Sequence, residues 1–175
     1  MGEKPCPIAL SMSQDHSKLD ELLEKALKTR EGILSAPFWA FREGLLRHIG
    51  IEETILLPSL INPSDEVKSL AQQLRLEHGA LTNLLVPEPT REIVKALQII
   101  LAPHNVREES AGGFYSFVDA LPETGVKDLL RRISEAPYPP LRPYSKRPQA
   151  LEAAKRAMQR AGYVRLSQFF GPRLT

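Results

Sequence analysis

Apolar residues recur every three to four positions through the first 136 residues, and the strict alternation that marks a strand is missing. The spacing predicts four long helices. The first runs from about Ser13 to Leu34, with His16, Leu19, Leu23 and Leu27 on one face. The second starts near Pro37, a residue suited to a first turn, and runs to about Leu60 along Phe41, Leu45, His48, Glu52 and Ile55. The third follows "NPSDE", where serine or aspartate caps the helix. It reaches about Val86 with Val67, Leu70, Leu74, His78, Leu81 and Leu85 inward. The fourth follows "PEPT" and carries Val94, Leu97, Leu101, His104 and Glu108 to about Ala120. Short helices are predicted over Val126–Ser134 and Pro148–Ala161, the latter stopping at Gly162. Long helices with short, proline-rich connections give the expected fold class: all-α, an antiparallel up-down four-helix bundle with additional short C-terminal helices. Two local signals conflict with this. Pro103 should kink or split the fourth helix, and Gly112–Gly113 weaken it further on.

The chain has only four histidines, His16, His48, His78 and His104, one on each long helix and each in the apolar stripe. Two of them repeat a pattern, "HIGIEE" at 48–53 and "HNVREE" at 104–109. A four-residue step returns a side chain to the same helix face one turn on, so His48 pairs with Glu52 and His104 with Glu108. Taken singly, each element has an ordinary reading: a satisfied core histidine, a surface ion pair, a solvated Glu-Glu. Taken together, those readings bury two glutamates with no basic partner on their stripes. An unpaired buried carboxylate costs several kcal/mol or is neutralised. A divalent metal removes that cost, and imidazole plus carboxylate suits iron, manganese or zinc. The candidate metal ligands are therefore His16, His48, Glu52, His78, His104 and Glu108. Such a set could hold two metals about 3.5 Å apart, two imidazoles each, with Glu52 and Glu108 bridging. Glu53 reads as solvated, while Glu77 and Glu109 are open between that and hydrogen bonding to the ligands. Tyr115, close to Glu108 in the chain, could also lie near the metals.

The order of these residues on successive helices resembles the hemerythrin-like (HHE cation-binding) family. "DHSKLDELL", "LLRHIGIEETILLPSL", "LRLEHGALTNLL" and "HNVREESAGGFYSFVDAL" are similar to its four helix signatures, over about residues 8–122. The resemblance implies a four-helix bundle around a non-haem di-iron centre and binding or sensing of oxygen, nitric oxide or iron, with redox chemistry in some members. It implies two iron ions as cofactor, and a small diatomic ligand, water or oxo group as their partner. The sequence departs from the oxygen carriers at Thr82, where they have a second histidine on the third helix. That leaves more open coordination and room for sensing or chemistry. The alternative reading is a di-iron oxidoreductase acting on peroxide, oxygen or nitric oxide, or oxidising ferrous iron. A metal-free helical interaction module ranks lower. The ferritin-like enzymes match less well, because their Glu-x-x-His step is shorter and reversed.

Charge divides the chain near Pro137. Residues 1–136 hold 15 basic and 20 acidic side chains, residues 137–175 hold 8 and 1. The expected organisation is a metal-binding bundle over 1–136 and a proline-rich, basic extension over 137–175 with one short helix. The extension reads as a solvated or self-docking arm in preference to a nucleic-acid binder, with a homodimer or an acidic partner as further options. The helix within it has an apolar side, Leu151, Ala154 and Met158, suited to docking. The single cysteine, Cys6, excludes an internal disulfide and is compatible with a cytoplasmic location. No apolar run approaches the roughly 18 residues of a membrane span. The N-terminal stretch lacks the pattern of a secretory leader.

Overall fold

The computed structural model describes residues 6–170. Among them the chain is all-helical, apart from an isolated bridge between Pro87 and Ser145. Helix α1 spans Pro7–Ala26, α2 Ser35–Ile51, α3 Asp65–Leu84 and α4 Arg91–Glu109. Shorter helices follow: α5 Phe114–Asp119, α6 Glu123–Glu135, α7 Pro148–Arg160 and α8 Val164–Gln168. No described helix is long and apolar enough to cross a membrane.

Helix α1 starts six residues before its predicted position. Proline suits the first turn, and the Ile8 and Ala9 amides, which have no partner within the helix, donate to the Asp119 carboxylate at 2.9 and 3.0 Å. That cap comes from α5, so local sequence could not signal it. The helix also stops earlier, before a turn in which Gly32 takes φ +75°. Helix α3 begins as its capping signal predicts, and α4 begins directly after "PEPT", as expected. Ser64 Oγ accepts from the Val67 amide and Thr90 Oγ1 from the Ile93 amide.

Two irregularities shape the middle of the molecule. Helix α2 continues into a π-helical turn, Glu52–Leu56, and a last turn, Leu57–Ser59. Widened turns of this kind concentrate at functional sites. Helix α4 runs unbroken through Pro103, so the proline does not split it. The break falls at the glycines. Gly112 has φ +82°, and a side chain on Gly113 would meet the carbonyl oxygens of Arg107, Glu108 and Ser110 at 2.6–2.9 Å. This tight reversal ends α4 at Glu109 and turns α5 back, where a continuous fourth helix to Ala120 was expected.

The core falls into two apolar clusters. One contains Leu19, Phe41, Leu45, Leu81, Leu97 and Leu101. The other contains Met12, Ile51, Leu74, Phe114 and Val118. On α1, α2 and α3 the histidine sits where one cluster gives way to the other: His16 between Met12 and Leu19, His48 between Leu45 and Ile51, His78 between Leu74 and Leu81; on α4, which joins the first cluster alone, His104 follows the last member, Leu101. A buried polar layer therefore crosses the core between two dry ones.

The extension lies against the rest of the chain. Just before it, Arg47 of α2 donates to the Ile133 and Ala136 carbonyls; within it, the Arg142 carbonyl accepts from Arg42. The Arg42 guanidinium lies 4.6 Å from the Tyr144 ring centre, a cation–π contact. The Ser145 amide donates to the Val86 carbonyl at 2.8 Å. Helix α7 packs on α3 and buries Ala154, Ala157 and Met158 in the first cluster.

Candidate metal centre

All six predicted ligands meet in the polar layer, and all are buried. His16 comes from α1, His48 from α2, Glu52 from the π-helical turn, His78 from α3, and His104 and Glu108 from α4. The rings form two pairs. His16 and His48 have centroids 4.5 Å apart, and His78 and His104 are 5.0 Å apart. Every ring turns Nε2 inward.

The two glutamates lie between the pairs, and each offers one oxygen to each. Glu52 Oε1 is 3.5 Å from His48 Nε2, and its Oε2 is 3.1 Å from His78 Nε2. Glu108 Oε2 is 3.3 Å from His16 Nε2, and its Oε1 is 3.1 Å from His104 Nε2. Two groups of side chains could each hold a metal ion: Glu52, His78, His104 and Glu108 in one, His16, His48 and Glu108 in the other.

Protein groups alone leave this centre incompletely satisfied. Glu52 Oε2, His78 Nε2 and Glu108 Oε1 are buried without a hydrogen-bond partner, although they lie close together. Buried polar atoms are rarely left so. Their distances are short but their directions converge on shared space, which suits a common cation better than one another. The donor set, imidazole nitrogen and carboxylate oxygen, fits a transition metal.

The outer nitrogens follow a second pattern: a carboxylate faces each of them and hydrogen-bonds three of the four. Asp15 of α1 faces His48 of α2, but its Oδ2 is 3.9 Å from Nδ1, beyond hydrogen-bond range, and Nδ1 is buried without a partner. Glu53, beside α2, meets His78 Nδ1 of α3 at 2.6 Å. Glu77 of α3 meets His104 Nδ1 of α4 at 3.0 Å. Glu109 of α4 meets His16 Nδ1 of α1 at 2.5 Å. Each acid is the chain neighbour of a ligand on its own helix and serves the histidine of the next. Such partners fix ring orientation and tautomer at metal sites. Glu53 is therefore not merely solvated, as expected from sequence; it bonds His78 and lies 3.4 Å from Arg75.

Electrostatics follow from this packing. Burial alone would keep His48 neutral, but Glu52, Asp15 and Glu108 outweigh it and raise its pKa to about 10. His104 rises to about 9, where Glu108 and Glu77 overcome burial. Burial and the Glu108 charge push Glu52 up, yet His48 and His78 bring it down to about 2. Glu108 is likewise held well below the usual carboxylate range, the nearby histidines outweighing its burial. Asp15 is lowered to about 2, chiefly by His48. Without a metal, then, protons on His48, His78 and His104 balance the carboxylates. A metal binding at their Nε2 atoms must displace those protons.

Tyr115 is the residue that sequence only hinted at. Its hydroxyl donates to Glu52 Oε1 at 2.6 Å and lies 3.2 Å from Glu108 Oε2. His16 Nε2 and His48 Nε2 are 3.5 and 3.4 Å away. Burial and the two glutamates keep the phenol protonated, with its pKa well above the usual value. The Gly112–Gly113 reversal is what returns this side chain to the centre. Thr82, at the position of the absent histidine, donates instead to the His78 and Gly79 carbonyls of its own helix.

No family model matches the chain, and neither a curated protein nor a solved structure matches it.

Proposed function

We propose that this chain is a hemerythrin-like, di-iron protein that binds or senses a small ligand such as oxygen, nitric oxide or iron at an open site in its core. In this reading α1–α4 form an antiparallel up-down bundle around the metals. The observation that carries it is the division of each glutamate, one oxygen toward each histidine pair. A single metal would need carboxylates turned to one side; two metals need carboxylates that span. His16 and His48 would hold one ion, His78 and His104 the other, with Glu52 and Glu108 shared.

A bound pair of this kind supplies Lewis acidity and, as iron, one-electron redox chemistry. The protein's part lies in its own side chains. Glu53, Glu77 and Glu109 hold three of the imidazoles in register, and Asp15 faces the fourth. The apolar clusters on either side exclude bulk water and strengthen every charge interaction between them. The Tyr115 phenol keeps a proton within hydrogen-bond reach of Glu52 and the His16–His48 pair.

That phenol also favours a second reading, a di-iron oxidoreductase. Reduction of oxygen, peroxide or nitric oxide consumes protons, and Tyr115 holds one at the centre. Elemental analysis and a visible spectrum, taken under air and after reduction, test the first reading. About two irons per chain and bands of an oxo-bridged ferric pair are expected. A folded preparation that takes up no transition metal, even anaerobically, would overturn it. Turnover with ferrous iron or reductant and each oxidant separates enzyme from sensor.

A further inference from the structure

Of the four carboxylates that face the outer histidine nitrogens, Glu77 alone is fully buried. It is 0% exposed, against 38% for Glu109, 31% for Glu53 and 26% for Asp15. It is also the most heavily bonded. Glu77 Oε2 faces His104 Nδ1, while Oε1 accepts from Gln73 at 3.1 Å, Arg107 at 2.9 Å and the Tyr163 hydroxyl at 2.8 Å. Gln73 and Arg107 belong to α3 and α4, the helices that carry His78 and His104. Tyr163 belongs to the C-terminal extension.

We propose that the C-terminal extension is a working part of the centre, with Tyr163 as a positioning residue that sets His104 through Glu77. The inference rests on the metal-binding reading for its consequence, not for its geometry. A carboxylate that accepts three donors on one oxygen has its plane fixed. Its other oxygen then fixes the His104 ring and the direction in which Nε2 points. Removing the Tyr163 hydroxyl leaves Glu77 two donors from flexible side chains, and the carboxylate can turn.

The placement of Tyr163 is built rather than incidental. Helix α7 is seated on α3 by Ala154, Ala157 and Met158, all buried. Gly162, at φ +92°, turns the chain sharply after it. The Tyr163 amide then donates to the Met158 carbonyl at 2.8 Å, and Gln73, which bonds Glu77, also donates to the Ala161 carbonyl at 3.2 Å. One α3 side chain thus ties the arm's turn to the same carboxylate that the arm's tyrosine reaches. His16 has no such link, and that to His48 is looser and without a hydrogen bond: Tyr138 of the extension lies 5.0 Å from the Arg47 guanidinium, which is 3.8 Å from Asp15 Oδ2. The hydrogen-bonded route from the extension therefore runs to His104 alone. Removing the Tyr163 hydroxyl should weaken one metal position and spare the other.

The test uses the full-length chain, as wild type, Tyr163→Phe and Tyr144→Phe. Phenylalanine keeps each ring's packing and removes only the hydroxyl; Tyr144 anchors the arm at Arg42, away from Glu77. Long-range nitrogen–proton NMR of the histidine rings is recorded before metal is added. Tyr163→Phe should shift the His104 ring nitrogens and leave those of His16 and His48 in place, and Tyr144→Phe should shift none. Titration with ferrous iron or zinc should then show two binding steps in the wild type. In Tyr163→Phe one of them weakens about tenfold, the scale of lost outer-shell support. Unmoved His104 signals in Tyr163→Phe, or equal shifts of all four histidines, would overturn the proposal. If the wild type bound no metal, the metal reading would fail, yet the ring-nitrogen shifts would still decide whether the arm positions His104.

Discussion

The His16–His48 pair and the His78–His104 pair share two glutamates but live in different surroundings. The first pair receives the Tyr115 phenol, and its outer carboxylates, Asp15 and Glu109, lie partly in solvent. The second pair has a phenol only at one remove, where Tyr163 bonds Glu77. It contains the three converging atoms that no protein group satisfies, and it rests on the buried Glu77 network. The same ligand chemistry is thus supported twice in different ways. One half has a protic group at its inner side; the other has a rigid frame at its outer side. Two metal positions built this way should differ in affinity and in what they expose to a small ligand.

The largest expected effect erases the comparison. Glu108→Ala removes an oxygen from both halves, so both metals should be lost, whereas His16→Ala should cost one. Metal-to-protein ratios after desalting measure this. Equal losses in the two variants would break the account of a shared carboxylate.

Removing the metals exposes the proton balance. His48 and His104 stand at about 10 and about 9, above the ordinary 6.5. Their stabilising effect is complete below pH 6.5 and is lost as pH rises through 9–10. Glu52, at about 2 against 4.5, contributes above pH 4.5 and loses its effect as pH falls through 2. Chelated protein should be most stable between about pH 4.5 and 6.5, losing about 1 kcal/mol per group per pH unit on the alkaline side. Denaturant midpoints across pH report it, and loaded protein should show a weaker alkaline loss because metal replaces the protons.

A smaller effect separates the halves. Gly113→Ala forces a methyl group against three backbone carbonyls and should cost about 1–3 kcal/mol. Because the reversal aims Tyr115, ring-nitrogen signals of His16 and His48 should move more than those of His78 and His104. Smallest is Tyr115→Phe, which deletes one hydroxyl. It should lower the stability of chelated protein by about 1 kcal/mol and perturb the same first pair. A change confined to the second pair would contradict the asymmetry.

Much of this centre was legible before any coordinates. Histidines in an apolar stripe and a four-residue step to glutamate identify the inward residues, because helical period fixes which side chains share a face. The serine or aspartate expected to cap the third helix in "NPSDE" marked its start for the same local reason, and Ser64 is the cap. What could not be read depends on chain reversal or on distant contacts. Asp119 caps α1 from more than a hundred residues away, so the start of that helix was misplaced. The acids that face the outer nitrogens stand beside ligands as Asp15-His16, Glu52-Glu53, Glu77-His78 and Glu108-Glu109. Adjacency is visible in the chain, but each acid serves a different helix, which only packing reveals. Pro103 and the glycines were read as defects of one helix. The proline is tolerated within α4, while the glycines make the turn that carries Tyr115 home.

The most direct measurement is a crystal structure of iron-loaded protein with diffraction recorded about the iron absorption edge. The account predicts two anomalous peaks, about 3.5–4 Å apart, one beside His16 and His48 and the other beside His78 and His104, with Glu52 and Glu108 between them. A single peak, or peaks outside this layer, would contradict it.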